Sequence, residues 1–359
     1  MTKKLLVSIS FCLLIQFTLF AEGANRDPIV EKLLNEDGKI RQEGRSDLLS
    51  IAQKDPSGVD KYLDYKDNWE VRYHTVRALS SVQGRESTRR LLKAIFQDNN
   101  RSIVSVASNG LKGREKDVTQ DEVRKLLEMD DQEAIRAALR IVQKIPVDES
   151  ILAPLARRLE DKRWYIRTDT GSALGQAKGI ETQLKVGLIL DALKKECENP
   201  TPEPNTPDPE RYVPLTDHVK SSYRAIFLRM GSPTMSYLKE RLKKEKGEFG
   251  KNLIITLGHL GDPNVYAEIL EIATTDKDAW SRAYAIGTLG RIGNKDAIPL
   301  LKEALKDRFS VSGGDVKAPP GYEEWNLRYP IREAAFSSLV KLGVKVESKG
   351  PAGTYKVIE

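Results

Sequence analysis

The residues best suited to chemistry lie far apart in this sequence of 359 residues. His74, His218 and His259 have no partner at the spacing of an HExxH or CxxC motif, so a zinc site would require folding to gather them. The chain has no GxSxG motif, no glycine-rich phosphate loop and no Cys–His pairing. Asp130-Asp131 and Glu323-Glu324 are adjacent acids of the kind that solvated surfaces carry. The sequence therefore predicts no catalytic, cofactor-binding or metal-binding residues, and no enzyme.

Arginine recurs at one position of a repeating pattern, in which an acidic turn is followed by Arg and, seven residues later, by Leu. The set comprises Arg41, Arg72, Arg167, Arg282 and Arg332. Because the planar guanidinium can bond a carboxylate twice, we predict a structural ladder, in which each Arg pairs with an acidic residue of its own turn or of a neighbouring repeat. The alternative is a row of cations for anionic ligands.

Tryptophan recurs two or three residues before that arginine, at Trp69, Trp164 and Trp280. Side chains at this position are expected to form an aromatic row along one edge of the fold. Such a row could stack on sugars or hold a partner peptide, or it could pack over the turn. The candidate partner-binding residues are Trp164, Trp280, Tyr322 and Trp325.

The elements that must position these side chains repeat along the chain with a period of about 31 residues. The repeated apolar position is occupied by Leu48, Leu79, Leu111, Ile141 and Leu174, and then by Leu228, Leu257, Leu289 and Leu339. Each period holds two amphipathic segments, which predicts two helices of roughly a dozen residues joined by short turns. The weaker copies depart from the pattern: Val104 replaces the Arg, Arg136 is out of register, and Ser221 occupies the Arg position.

Local signals mark where some of these helices begin and end. Asp262 is a predicted N-cap and Pro263 the first helical residue after it. Gly290 and Gly293 are predicted to end the helix that precedes them. Strand alternation is visible only at 354–358.

Three segments resemble HEAT repeats, of the short kind also found in bilin-lyase-related proteins. They are DKRWYIR at 161–167 with SALG at 172–175, AYAIGTLGRIG at 283–293 and AAFSSLVKLG at 334–343. The resemblance implies an all-α fold, a right-handed α-solenoid (α-α superhelix) of about eight or nine HEAT-like helix pairs. It also implies a concave inner surface made by the second helix of each pair.

The first residues predict export. Lys3 and Lys4 precede an apolar run, Leu5–Phe20, and small residues follow at 21–23, which is the order of parts in a secretory signal. Since the run is shorter than the roughly 20 residues of a bilayer-spanning helix, cleavage is favoured over retention as an anchor. Cys12 lies inside the run and is an ordinary apolar member of it. The predicted location is periplasmic, cell-surface or secreted.

Two segments interrupt the repeats. Residues 199–214 contain prolines that a helix interior cannot hold, and residues 310–326 combine Gly-Gly, Pro-Pro, Tyr322 and Trp325. The predicted organisation is a signal peptide at 1–23, N-terminal repeats at 24–198, a Pro-rich loop or linker at 199–216, C-terminal repeats at 217–345 with the inserted loop 310–326, and a tail at 346–359.

Composition adds few constraints. The formal net charge of +6 is modest for this length, which argues against a nucleic-acid partner. Outside the predicted signal the chain has one cysteine, Cys197, so no intrachain disulfide is expected. Its thiol could pair between chains or remain unpaired at a helix end.

The function predicted from these features is that of an exported scaffold, without a cofactor, that binds another protein of the cell envelope. Its concave face and the 310–326 loop would form the binding surface, with no stable membrane span after signal cleavage. Two other functions remain open: a lyase-like or glycosylase-like HEAT enzyme, and a structural component of the cell envelope. Export argues against the enzyme, since chromophore attachment and DNA repair are internal tasks.

Overall fold

A computed structural model describes residues 27–203, 213–312, 327–349 and 353–358. The predicted signal peptide, most of the inserted loop, Tyr322 and Trp325 lie outside the described residues. The chain forms two compact units, Met1–Ile145 and Pro146–Glu359. Within the described residues both units are helical, apart from two short pairs of strands.

The N-terminal unit is built from helix pairs in which a first and a second helix pack together. The helices are α1 (Pro28–Leu33), α2 (Gly38–Lys54), α3 (Asp60–Leu63), α4 (Trp69–Ser81), α5 (Arg85–Gln97), α6 (Arg101–Gly110), α7 (Gln120–Glu128) and α8 (Gln132–Lys144). The even-numbered members are the second helices. Each of them also contacts the second helix of the next pair in this unit, so the stack is continuous from α2 to α8.

The C-terminal unit continues the same alternation. Its helices are α9 (Leu152–Arg158), α10 (Trp164–Gln176), α11 (Thr182–Glu198), α12 (Leu215–Met230), α13 (Met235–Leu242), α14 (Gly247–His259), α15 (Tyr266–Thr275), α16 (Ala279–Ile292), α17 (Ile298–Ala304) and α18 (Pro330–Lys341). The second helices α10, α12, α14, α16 and α18 again contact one another in order. The predicted all-α solenoid of helix pairs is confirmed.

The ends of the helices follow from side-chain caps. Asn68, Asp131 and Asp278 precede α4, α8 and α16, and each accepts hydrogen bonds from backbone N–H groups of the first turn. Asp262 accepts a bond from Asn264 N, and Pro263 opens the short 3-10 turn that leads into α15, as predicted. Gly293 ends α16 with φ = 83°, a conformation that favours glycine.

The burial pattern of α12 corrects its predicted register. In α10 the buried residues include Ile166, Thr170 and Leu174, and in α12 the residues with the same spacing are Val219, Tyr223 and Phe227. Position 220 therefore corresponds to the arginine position, and the residue there is a lysine. The sequence pattern places the arginine position at Ser221 and the core position at Leu228, each one residue too late. The reason is that the pattern requires leucine at the core position, whereas the buried residue there is phenylalanine.

Glycine lets two pairs of second helices approach closely. A Cβ atom on Gly258 of α14 would lie 2.3 Å from Thr288 Cγ2 of α16. One on Gly290 of α16 would lie 2.5 Å from Ser338 Cα of α18, and Ser338 Oγ donates a hydrogen bond of 2.8 Å to Ile286 O across the same interface. The prediction that Gly290 ends the helix is wrong, since this residue lies inside α16 and serves packing.

The remaining elements are small. β1 (Val311–Ser312) pairs antiparallel with β2 (Leu327–Arg328), and β3 (Val346–Ser348) with β4 (Tyr355–Val357), which lies within the strand predicted at 354–358. The segment predicted as a linker, 199–216, connects α11 and α12, and these helices pack on each other as one pair. The boundary between the two compact units lies between Ile145 and Pro146, and the predicted organisation into N- and C-terminal repeats stays a prediction.

The glycine contact between α16 and α18 gives a stability test. Gly290→Ala should destabilise the protein by about 1–3 kcal/mol, because the methyl group overlaps the Ser338 backbone and the helices must separate. Gly287→Ala in the same helix is the matched control: its Cβ would lie 3.8 Å from Ala334 Cβ, and alanine favours the helix. Urea unfolding measures both. Equal stability of the two variants would contradict the role of this contact.

Candidate partner-binding surface

The arginines of the ladder share one kind of partner, the backbone carbonyl of the turn between the two helices of a pair. Arg41 donates to Asn35 O and Glu36 O at 2.7 Å each. Arg282 donates to Asp276 O at 2.9 Å and Lys277 O at 3.3 Å. Arg72 donates to Tyr65 O at 2.9 Å. These carbonyls follow a helix C-terminus, where no intrahelical donor is available, so the guanidinium supplies one.

The predicted pairing with carboxylates is found at only two positions of the ladder. Arg72 holds Asp98 through two hydrogen bonds of 2.7 and 3.3 Å, and Arg167 bonds Glu196 at 3.2 Å. Among the described residues no carboxylate pairs with Arg41, Arg282 or Arg332, and Arg332 donates to carbonyl groups instead. All arginines of the ladder donate a hydrogen bond to a carbonyl of the preceding turn. Only Arg72 and Arg167 form an ion pair with a described residue in addition.

The recurrent tryptophans differ in exposure because different neighbours cover them. Trp280 is buried at 8% exposure and meets the Phe309 ring edge-on, with 5.7 Å between centroids. Trp164 is half-buried and meets the His218 ring edge-on at 5.4 Å. Trp69 is 45% exposed. The role of Trp164 and Trp280 in binding a partner stays a prediction. Of the three tryptophans, Trp69 is the most exposed.

Trp69 belongs to a surface on α4 that we call the Trp69 surface, formed by Trp69, Tyr73 and Arg77. These residues lie four apart, so they occupy successive turns of one helix face. The rings of Trp69 and Tyr73 are 6.0 Å apart between centroids, and the Arg77 guanidinium lies 6.0 Å from the Tyr73 ring. An exposed ring followed by a cation on the same helix face is a common composition for the centre of a protein interface.

The groups beside this surface make it positive. The pKa of His74 is lowered to about 4, first by burial and then by the charges of Arg45, Arg77 and Arg41. The imidazole is therefore neutral at pH 7, and its buried Nδ1 has no hydrogen-bond partner. Arg45 Nε is likewise buried without a partner. The charges that dominate at His74 are thus cationic, and Arg77, which carries one of them, belongs to the Trp69 surface.

A second polar constellation lies inside the C-terminal unit. Lys220 bonds Glu248 at 2.9 Å, and Glu248 accepts a bond of 3.1 Å from Asn252. Arg224 donates to Asn252 Oδ1 at 2.5 Å, and its guanidinium lies 4.2 Å from the centre of the Tyr284 ring. Since buried charges need partners, this chain of contacts holds α12, α14 and α16 in one register.

Cys197 lies beside this network and is half-buried. Burial raises the pKa of its thiol to about 12. Thiol–disulfide exchange requires the thiolate, which is disfavoured here. The environment therefore favours an unpaired thiol over a pairing between chains.

One surface groove of the N-terminal unit shows no convergent chemistry among the described residues. The groove of about 560 Å³ beside Arg72 is lined by charged groups that already pair, among them Lys93 with Asp64 at 2.7 Å and Arg72 with Asp98. Within the described ranges no group of His, Cys, Asp or Glu side chains is arranged to hold a metal ion. In the same ranges no helix combines the length and apolar character that crossing a membrane requires.

Comparison with known proteins finds a family match within the C-terminal unit. Residues 235–311, which contain α13 to α17, match the family of HEAT repeats, and the resemblance seen in the sequence is confirmed. No curated protein matches the sequence significantly. The solved structures that are similar include YibA of Escherichia coli, with 13% identity over 91% of this chain and 96% of that chain and a TM-score of 0.38. An engineered protein has 14% identity over 88% and 89% of the two chains and a TM-score of 0.32.

The ladder gives a second stability test. Arg282→Met keeps most of the side-chain volume but leaves the carbonyls of Asp276 and Lys277 without their donor, so we expect a loss of about 1–2 kcal/mol in the free energy of unfolding. Lys277→Met, at an exposed side chain of the same turn, is the control and should change stability little. Denaturant unfolding of both variants measures the difference, and an unchanged Arg282→Met protein would exclude this role.

The environment of His74 predicts a pH dependence. Its pKa is about 4 in the folded protein and near 6.5 when unfolded, so the unfolded state gains its proton first as pH falls. The contribution of His74 to the free energy of unfolding is fully present above pH 6.5 and is lost as the pH falls towards 4. His74→Gln should therefore lose less stability than the wild type between pH 7 and pH 4.5, measured by urea midpoints. Identical pH profiles would show that His74 is not held neutral.

Proposed function

We propose that this protein is an exported, non-catalytic HEAT-repeat scaffold that binds another protein through the Trp69 surface. The observation that carries the proposal is the 45% exposure of Trp69 at the start of a second helix. Trp164, which also lies three residues before its ladder arginine, is half-buried and meets the His218 ring. A large ring left in water is unfavourable in the free protein and becomes favourable when a partner buries it. Tryptophan is also among the residues that dominate binding energy at interfaces.

The chemistry of the surface supports a partner segment that combines an apolar side chain with acidic residues. The apolar side chain would cover Trp69 and Tyr73. The carboxylates would approach Arg77 and Arg45, whose charges already lower the pKa of His74. Complementary charge of this kind mainly raises the association rate and fixes the orientation of the partner.

Export rests on the first residues alone. Lys3 and Lys4, the apolar run Leu5–Phe20 and the small residues at 21–23 support a secretory signal. The proposed location is the periplasm, the cell surface or the exterior, and the proposed partner is a protein of the cell envelope. N-terminal sequencing of the protein recovered from the producing cell tests this part, because a start near residue 24 is expected after cleavage.

The binding proposal is tested with paired variants. Trp69→Ala combined with Tyr73→Ala should weaken partner binding at least about tenfold, since both rings lie at the proposed centre of the interface. Phe96→Ala is the matched control, because this ring is 36% exposed on the first helix α5 of the same unit. Each immobilised protein is exposed to detergent-solubilised envelope extract, and captured proteins are quantified by mass spectrometry.

A protein that is retained by the wild type and by Phe96→Ala but lost from the double variant would support the Trp69 surface. Circular dichroism melting of every variant verifies that the helices persist. Equal retention by all variants would exclude this surface. A partner lost only on deletion of residues 310–326 would assign binding to the inserted loop.

A further inference from the structure

A groove in the C-terminal unit lies between the α13–α14 turn and the next first helix, α15. Its lining residues belong to the segments 242–254 and 268–276, and its volume is about 280 Å³. We call it the α15 groove. Its lining includes Gly247 and Gly250, which have no side chain to fill it. The Trp69 surface lies in the other unit and shares no residue with this groove.

Aliphatic side chains form the apolar part of the α15 groove. Leu242 at the end of α13, Ile254 of α14 and Ile272 of α15 line it, and each of them is half-buried. A Cβ atom on Gly250 would lie 3.0 Å from Glu245 O, so the close turn before α14 favours glycine at this position. Aliphatic surface left open in this way gains free energy when another molecule covers it.

Ion pairs within the fold compensate part of the charge that lines the groove. Lys251 bonds the carboxylate of Asp276 at 3.1 Å. Glu245 accepts a hydrogen bond of 3.0 Å from Lys194. These charged groups serve contacts between neighbouring helices and turns, and they are not available to a ligand without breaking those contacts.

The charge that remains on the rim is mainly negative. Glu268 and Glu271 lie one turn apart on α15, both are exposed, and no cation of the described residues pairs with either of them. Lys246 on the opposite side is the other lining residue with an uncompensated charge. The α15 groove therefore combines an apolar floor with two free carboxylates.

The Trp69 surface has the complementary composition. Its Trp69 ring is 45% exposed, and Arg77 on the same helix face is exposed as well. No carboxylate of the described residues pairs with Arg77. One unit thus exposes an aromatic ring with a free cation, and the other exposes an aliphatic groove with free carboxylates.

We propose that the α15 groove binds the Trp69 surface of a second copy of this chain. The Trp69 ring covers the aliphatic floor, and Arg77 approaches Glu268 and Glu271. A guanidinium can bond carboxylate oxygens in pairs, and complementary charge fixes the orientation of the two copies. The inference rests on the proposed function, because it takes the Trp69 surface to be a binding surface.

The two surfaces in this contact are different, so the association is heterologous. A dimer formed in this way still has one free Trp69 surface and one free α15 groove. Further copies can add to both, and the average mass should therefore increase steadily with protein concentration.

Sedimentation velocity of the purified full chain over a concentration series measures this association. Trp69→Ala should weaken it at least about tenfold, because the ring at the centre of the contact is removed. Glu268→Lys combined with Glu271→Lys should weaken it as strongly, since like charges then face Arg77. Glu149→Lys combined with Glu347→Lys makes the same charge change at two exposed acids outside the groove and should associate like the wild type.

A mixture of variants separates loss of binding from loss of folding. Trp69→Ala leaves the α15 groove intact, and the variant with lysine substitutions at both glutamates leaves the Trp69 surface intact. Each variant alone should sediment as a monomer at concentrations where the wild type associates. Their equimolar mixture should form a dimer and no larger species, because only one productive contact remains possible.

Three results would overturn the proposal. They are a wild type that stays monomeric at every concentration, association that persists in the groove variant, and an equimolar mixture that stays monomeric. The proposed scaffold function fails separately. Trp69-dependent capture of an envelope protein without self-association would support that function alone, and self-association without such capture would support this inference alone.

Discussion

The close contact between successive second helices is the constraint on which the C-terminal unit depends most. Gly258 and Gly290 bring their helices so near to Thr288 and Ser338 that a single added methyl group has no room. At that distance the surrounding apolar side chains fill the space between helices, and Ser338 can reach the Ile286 carbonyl of the neighbouring helix.

The arginine ladder solves a different problem of the same architecture. A helix pair reverses direction within a few residues, and the carbonyls of that turn have lost their helical donors. One guanidinium with five donors reaches back from the second helix and binds the turn, as Arg282 does. Each of the five ladder arginines donates to a carbonyl of the turn before its helix, so this contact recurs in those repeats. Where Lys220 replaces it in α12, the cation bonds Glu248 of the next second helix instead.

Much of this could be predicted from the sequence, because the repeat makes local pattern and fold agree. The period, the helix pairs and the cap at Asp262 follow from residue types and spacing alone. What could not be predicted depends on neighbours distant in the sequence. Trp69 and Trp164 both lie three residues before the ladder arginine, and the His218 ring, distant in the sequence, meets only Trp164. Gly290 has the sequence signal of a helix end, and only the approach of α18 shows that it serves packing.

Function in a repeat array is best sought where one copy departs from the others, since the shared features already serve stability. Trp69 departs because it is 45% exposed, whereas Trp164 at the same distance from its arginine is half-buried. His74 departs because the charges that lower its pKa are all positive and its buried Nδ1 has no hydrogen-bond partner. In Arg72 and Lys220, by contrast, the same kinds of charge are compensated within the fold. That contrast separates residues that stabilise the solenoid from residues that the fold leaves exposed or unpaired, and the proposed binding surface is drawn from the latter.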